Sequence, residues 1–179
     1  MDTLYFAYGS NINLEQMAFR CPDATVVGPV TLENYELLFR GNGDGFGVAT
    51  IEPKEGGKVF GLLWSITPDC EKSLDRYEGY PRLYDKQTVT VRDGLGNTIP
   101  VMAYVMTREW TRLPTVPSKT YYNGILEGFR QNGLPTHVLR DALVKVWEES
   151  EQLRRQMKKT KEPLNKSSIR RDSSIEFCN

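Results

Sequence analysis

Residues 5–11 (YFAYGSN) form a segment whose backbone N–H groups could bind an anion. A β-type run ends at Tyr8, Gly9 permits a tight turn, and Ser10 or Asn11 can cap the segment that follows. Such a junction presents several free N–H groups in one small region, and these groups could bind a carboxylate or an oxyanion. An ordinary tight turn uses the same residues, so this segment alone leaves both interpretations open.

Residues 73–81 (SLDRYEGYP) contain a carboxylate whose pKa could be raised. Glu78 comes just before Gly79, at the predicted end of a helix, where the helix dipole favours a cation instead. Tyr77 and Tyr80 flank Glu78, and their rings could desolvate it and raise its pKa toward the range useful for proton transfer. Taken by itself, the segment fits a surface glutamate in a loop better.

Residues 117–135 (PSKTYYNGILEGFRQNGLP) predict an amphipathic helix with a clear start and stop. Ser118 is a good N-cap residue, and the sequence from Asn132 to Pro135 ends the helix. Tyr121 or Tyr122 could aim its hydroxyl into a site, although both could equally be core residues.

The elements that must position these residues are mostly strands between residues 3 and 107. Short β-rich runs are separated by turn signals at 41–45, 55–57 and 94–97. The predicted strands are 4–7, 24–32, 35–39, 46–51, 58–66, 84–91 and 98–106. Besides a short helix capped by Asn13, helices are predicted over 69–78, 118–131 and 136–158.

Composition excludes several classes of function. The 179 residues include 23 basic and 23 acidic side chains, so no overall charge attracts nucleic acid or an anionic membrane. No run approaches the ~20 apolar residues of a membrane span, and the N-terminus lacks the pattern of a signal peptide. Cys21, Cys70 and Cys178 form neither a disulfide framework nor a metal pattern, and the only histidine, His137, lacks a nucleophile signature beside it. We therefore expect a cytoplasmic protein without metal or cofactor.

Six segments in order resemble the γ-glutamyl cyclotransferase family. They are YFAYGSN, GVATI (47–51), VFGLLW (59–64), LDRYEG (74–79), VMAYVMT (101–107) and the segment 117–135. The resemblance covers about residues 3–137 and looks closest to the branch that acts on γ-glutamyl amino acids. The branch that degrades glutathione usually has Leu after YGS, where this chain has Asn11, and the γ-glutamyl-lysine branch usually has a YGT-type motif.

The resemblance implies an α+β fold of one domain, a small mixed β-barrel with helices packed around it and a pocket at one side. It implies that Glu78 is the acid/base catalyst and that Tyr121 is a substrate contact, because the family's tyrosine follows Pro-Ser by the spacing seen in PSKTY. The substrate-binding loop would consist of Tyr5, Phe6, Ala7, Tyr8, Gly9, Ser10 and Asn11. The Gly-rich stretch 41–47 falls where the family has a variable loop near the pocket.

The expected reaction converts γ-glutamyl amino acids, or related γ-glutamyl amides, to 5-oxoproline and a free amino acid, with Glu78 as base and then acid. The alternatives are a non-catalytic relative that binds a small ligand, a cyclotransferase for another γ-glutamyl amine, and hydrolysis to glutamate. We expect a monomer or homodimer with a small γ-glutamyl substrate and no nucleic-acid or membrane partner. Residues 1–157 would form the domain, and the basic segment 158–179 would be a disordered tail.

Overall fold

The computed structural model describes residues 1–41 and 46–161, and its centre is a closed five-stranded barrel. The strands follow the order β1-β3-β2-β4-β5 around the barrel. Their bounds are β1 Thr3–Ala7, β2 Thr25–Gly41, β3 Gly47–Ile66, β4 Tyr84–Asp93 and β5 Thr98–Met106. Neighbouring strands are antiparallel except β1 and β5, which pair in parallel and close the barrel. The predicted small mixed barrel is thus confirmed.

Four α-helices of the described residues pack around the barrel, and their starts follow local capping chemistry. They are α1 Leu14–Arg20, α2 Pro68–Glu78, α3 Lys119–Gln131 and α4 Thr136–Lys161, with a short 3₁₀ turn, Ser10–Ile12, before α1. The Asn13 side chain accepts a hydrogen bond from the N–H of Gln16, and Ser118 accepts one from the N–H of Tyr121, as expected of N-caps. No helix within the described ranges is long and apolar enough to cross a membrane.

The hairpin of β2 and β3 differs from the predicted strands. The turn signal at 55–57 and the break before residue 35 do not end strands, so the expectation of four short strands in this region was wrong. The pairing instead jumps from Glu33 with Lys58 to Tyr35 with Pro53. Asn34 has φ of 61°, and its side chain accepts a hydrogen bond from the N–H of Gly56 at 3.1 Å. The signals therefore mark an irregularity that bends one long hairpin.

Two predicted segments lie wholly or partly outside the described residues. Residues 42–45 of the Gly-rich stretch and residues 162–179 of the expected tail are not described. Helix α4 continues to Lys161, so residues 158–161 are helical rather than the start of a disordered tail. The helix pattern therefore extends past the predicted domain boundary at residue 157.

Helix α3 packs closely enough on the loop after β1 to fix its position. A Cβ atom on Gly128 would lie 2.6 Å from the backbone nitrogen of Asn13, so only glycine allows this approach. Asn13 Nδ2 also donates to the carbonyl of Gly124 at 3.0 Å. The loop that follows β1 is thus held between the barrel and α3.

Candidate active site

A cavity of about 320 Å³ opens where β1 runs into the 3₁₀ turn and where α2 ends. Its wall combines six of the nine tyrosines of the chain with a single carboxylate, and it includes no lysine or arginine among the described residues. The lining residues are Tyr5, Tyr8, Gly9, Ser10, Asn11, Val48, Ala49, Tyr77, Glu78, Leu83, Tyr84, Tyr104 and Tyr121. This wall can donate hydrogen bonds while its rings keep water away from the carboxylate.

The structure brings most of the predicted site residues to this cavity. Glu78 and Tyr121, which are 43 positions apart in the sequence, both line it, together with five of the seven loop residues. Phe6 and Ala7 are not among the lining residues, because both are buried in the barrel against β3. A Cβ on Gly61 would lie 2.4 Å from the Phe6 ring. Tyr122 packs on the ring of Phe39 instead, with centroids 6.3 Å apart.

Glu78 is the last residue of α2 and is held beside the cavity by the end of the helix. Gly79 terminates the helix in the left-handed conformation, with φ of 66°. Burial raises the pKa of Glu78 to about 7, although the charge of Arg20 and the hydrogen bond from Asn11 both lower it. Near neutral pH the carboxyl is therefore present in both protonation states, which suits a group that first takes and then returns a proton.

The side chain of Asn11 holds the Glu78 carboxylate in place. Asn11 Nδ2 donates to Glu78 Oε1 at 2.8 Å and to the hydroxyl of Tyr5 at 2.9 Å. Asn11 Oδ1 accepts a hydrogen bond from Arg20 at 2.7 Å, and its backbone carbonyl accepts one from the indole N–H of Trp64 at 3.1 Å. The sequence suggested a role for the backbone of Asn11, and the structure adds a role for its amide.

Two tyrosine hydroxyls in the cavity are oriented by donors from the protein. The hydroxyl of Tyr121 accepts a hydrogen bond from the N–H of Ala49 at 3.1 Å, as that of Tyr5 accepts from Asn11. Each hydroxyl therefore keeps its own proton for donation to a ligand. Burial raises the pKa of both groups, so they remain protonated at neutral pH.

The loop after β1 also presents backbone donors. Within the described part of the chain, no hydrogen bond uses the N–H of Gly9, Ser10 or Asn11. The Gly9 carbonyl accepts from the N–H of Ile12 at 3.1 Å, which turns the chain at this point. Three successive free N–H groups on a cavity wall can bind a carboxylate or an oxyanion.

Several residues of the site were not predicted. Arg20 holds the amide of Asn11, Tyr84 donates to the carbonyl of Ala49 at 2.5 Å, and Tyr8 donates to the backbone carbonyl of Tyr104. Only the spacing of Gln16 and Arg20 on one helix face could have pointed to a contact, and Arg20 does donate to Gln16 at 2.8 Å. The tyrosines of β4 and β5 reach the site through barrel closure, which no local pattern shows.

Other reactive groups lie outside the cavity. Cys21 and Cys70 are buried free thiols, and burial raises the pKa of Cys21 to about 12, so it is a poor nucleophile at neutral pH. In the described ranges no three His, Cys, Asp or Glu side chains gather as a metal site. Glu78 is thus the group of this region with a pKa suited to proton transfer at pH 7.

Comparison with known proteins matches residues 5–123 to the family model "Gamma-glutamyl cyclotransferase, AIG2-like". The chain is 36% identical over 140 residues to a γ-glutamylcyclotransferase of Bos taurus, covering 74% of this chain and 72% of that protein. Identity to the Homo sapiens γ-glutamylcyclotransferase is 35% with the same coverage. A solved structure of a γ-glutamyl cyclotransferase superimposes with a TM-score of 0.71 at 30% identity, covering 79% of this chain and 86% of that one. The chain belongs to the γ-glutamyl cyclotransferase, AIG2-like family.

Proposed function

We propose that this protein converts γ-glutamyl amino acids to 5-oxoproline and a free amino acid, with Glu78 as general base and then general acid. The observation that carries the proposal is a partly buried carboxyl with a pKa of about 7 beside a cavity rich in hydrogen-bond donors. The cavity volume of about 320 Å³ is at the lower end of the range for small-ligand pockets. The curated relatives that match the chain are named γ-glutamylcyclotransferases, which supports the same activity here.

The substrate contains its own nucleophile, so the enzyme has to capture no second reactant. The α-amine attacks the carbonyl carbon of the γ-amide, four bonds away, and a five-membered ring forms. The new C–N bond closes the ring, and the C–N bond to the leaving amino acid breaks. Holding the flexible glutamyl chain in the ring-closing shape can contribute several kcal/mol. Water takes no part in the reaction.

Glu78 is suited to move the proton that this reaction transfers. An α-ammonium group has a pKa of about 8, so transfer to a carboxylate with a pKa of about 7 is uphill by only about 1.4 kcal/mol. Transfer to a carboxylate at the usual 4.5 would be uphill by about 5 kcal/mol. Oε1 is engaged by Asn11, whereas no hydrogen bond of the described residues uses Oε2. We assign the proton transfer to Oε2.

Neutral donors hold the anionic parts of the substrate. Because no lysine or arginine is among the described lining residues, the α-carboxylate and the oxyanion are bound by N–H and O–H groups. The N–H groups of Gly9, Ser10 and Asn11 form one set of donors, and the hydroxyls of Tyr5 and Tyr121 form another. Fixed donors of this kind stabilise a developing oxyanion without reorganising during the reaction.

The direct test incubates the protein with a panel of γ-glutamyl dipeptides and follows the products by mass. We expect 5-oxoproline and the free amino acid in equal amounts, unchanged activity in EDTA and no oxygen-18 from labelled water in the 5-oxoproline. A substrate with an acetylated α-amine should not react. Labelled free glutamate would instead show hydrolysis. Binding of the dipeptides without turnover would identify a non-catalytic relative.

The cellular setting and the assembly remain predictions. The described cysteines are free thiols, which is typical of a reducing compartment, and we place the reaction in the cytoplasm. We also propose that the protein acts as a monomer or homodimer. Light scattering of the purified protein measures the assembly directly.

A further inference from the structure

Arg20, the last residue of α1, touches both the loop after β1 and α2 without lining the cavity. Its NH1 donates to Asn11 Oδ1 at 2.7 Å and to Ser10 Oγ at 3.2 Å, and its NH2 donates to Gln16 at 2.8 Å. The guanidinium carbon lies 3.7 Å from the centroid of the Tyr77 ring. Burying part of a guanidinium costs desolvation free energy, and the neutral acceptors around Arg20 offset only some of it. The charge of Arg20 is therefore expected to interact with a further group.

We infer that Arg20 is a positioning residue, which turns the amide of Asn11 toward Glu78 and keeps the carboxylate of Glu78 ionisable. The inference rests on the proposed function of Glu78 as the proton carrier. Arg20 would act through Asn11 and through its charge, and it would not touch the substrate.

The geometric part of this role follows from the chemistry of an amide. The two ends of the Asn11 side chain have nearly the same shape, so packing alone does not choose between them. If the amide were reversed, Oδ1 would face the Glu78 carboxylate as a second acceptor, and Nδ2 would face the guanidinium as a second donor. Both contacts would be repulsive. A guanidinium, which only donates, therefore selects the orientation in which Nδ2 faces Glu78.

The electrostatic part follows from the charges around Glu78. The titratable groups that face it are Arg20 on α1 and the hydroxyls of Tyr5, Tyr8, Tyr77, Tyr84, Tyr104 and Tyr121. Tyrosine hydroxyls are neutral near pH 7, so Arg20 supplies the charge in this set. Its positive charge lowers the pKa of Glu78 against the larger effect of burial. Without Arg20 the carboxyl would stay protonated to higher pH, and a smaller fraction would be active as base.

The test compares Arg20→Met, which removes the charge and the donors, with Arg20→Lys, which keeps the charge. For Arg20→Met we expect kcat to fall roughly 10-fold or more with little change in KM. We also expect the acid limb of kcat/KM to move up by roughly one pH unit, the lower end of the effect of a close opposite charge. In Arg20→Lys, which keeps the positive charge, the acid limb should lie close to its wild-type position. Arg92→Met, which removes an exposed arginine paired with Glu33, is the matched control and should change neither quantity.

A second measurement does not depend on turnover. The Glu78 carboxyl is titrated by carbon-13 NMR in protein labelled at the glutamate δ-carbon, and its signal is assigned by its loss in Glu78→Gln. Arg20→Met should raise the titration midpoint by the same roughly one unit, even if the protein proved not to be a cyclotransferase. An unchanged midpoint would overturn the inference, whether or not activity falls. Arg20→Gln is measured in parallel, so that a neutral variant remains if Arg20→Met does not fold.

Discussion

Replacing Glu78 by Gln should make the protein more stable at pH 8 while removing its activity. The pKa of Glu78 is about 7 in the folded protein and 4.5 in the absence of the fold. The folded state therefore binds this proton more tightly than the unfolded chain. The stability that comes from this difference is fully present below pH 4.5 and is lost as pH rises through 7. Glutamine is neutral throughout and avoids this loss.

The size of the effect follows from the two pKa values. A difference of about 2.5 pH units corresponds to about 3 kcal/mol of unfolding free energy above pH 7. This difference already includes the hydrogen bond from Asn11, which lowers the pKa of Glu78 in the folded protein. We therefore expect Glu78→Gln to gain about 3 kcal/mol at pH 8, or roughly 6–12 °C in Tm for a chain of this size.

The assay is urea unfolding followed by circular dichroism at pH 8 and pH 5, with 5-oxoproline formation measured on the same samples. The gain should be largest at pH 8 and fall below about 1 kcal/mol at pH 5, and turnover should fall roughly 100-fold or more. Glu148→Gln, which changes an exposed glutamate of α4, should show no such pH dependence. A variant that is no more stable than wild type at pH 8, or equally stabilised at both pH values, would refute the assigned pKa.

Three further outcomes are expected. Tyr121→Phe should raise KM and lower kcat because the site loses a hydroxyl held by a backbone N–H, whereas Tyr122→Phe should leave turnover of γ-glutamyl dipeptides unchanged; equal effects would contradict this assignment. Gly128→Ala should lower Tm and activity, because the new Cβ would lie 2.6 Å from the backbone of Asn13. Gly124→Ala is the control: its Cβ would meet only the movable end of the Gln16 side chain, so the variant should keep its activity and gain up to ~1 kcal/mol of stability from the better helix propensity of alanine. The acid limb of kcat/KM should have its midpoint near pH 7, and a midpoint near 4.5 would show that the catalytic group does not have the raised pKa of Glu78.

The parts of the structure that the sequence predicted well are those set by local chemistry. The caps at Asn13 and Ser118 and the helix stop at Gly79 depend on neighbours within a few residues, and all three form as expected. The barrel was inferred from a family resemblance and is confirmed. Glu78 was a weak candidate from its own segment, because desolvation depends on groups that are distant in the sequence.

What the sequence could not show depends on long-range pairing. Gly56 alone predicts a turn that ends a strand. In the structure its N–H donates to Asn34 on the other strand of the hairpin, and the two residues form a bend within a continuous hairpin. Tyr104 reaches the cavity because β5 closes on β1, where its ring packs edge-on against Tyr5 with centroids 5.7 Å apart. Arg20 carries no motif at all. Its importance appears only once the amide of Asn11 is placed between it and Glu78.

The closure of the barrel has a consequence for the stability of the cavity wall. Strands β1 and β5 share a single registered pair, Tyr5 with Met102, whereas the long hairpin of β2 and β3 is paired over most of its length. We therefore expect local opening of the barrel to occur most readily at the seam between β1 and β5. Tyr5 lies on this seam and also on the cavity wall, so opening of the seam would separate it from Tyr104 and widen the cavity. A ligand bound to the hydroxyl of Tyr5 would therefore hold this part of the wall in place.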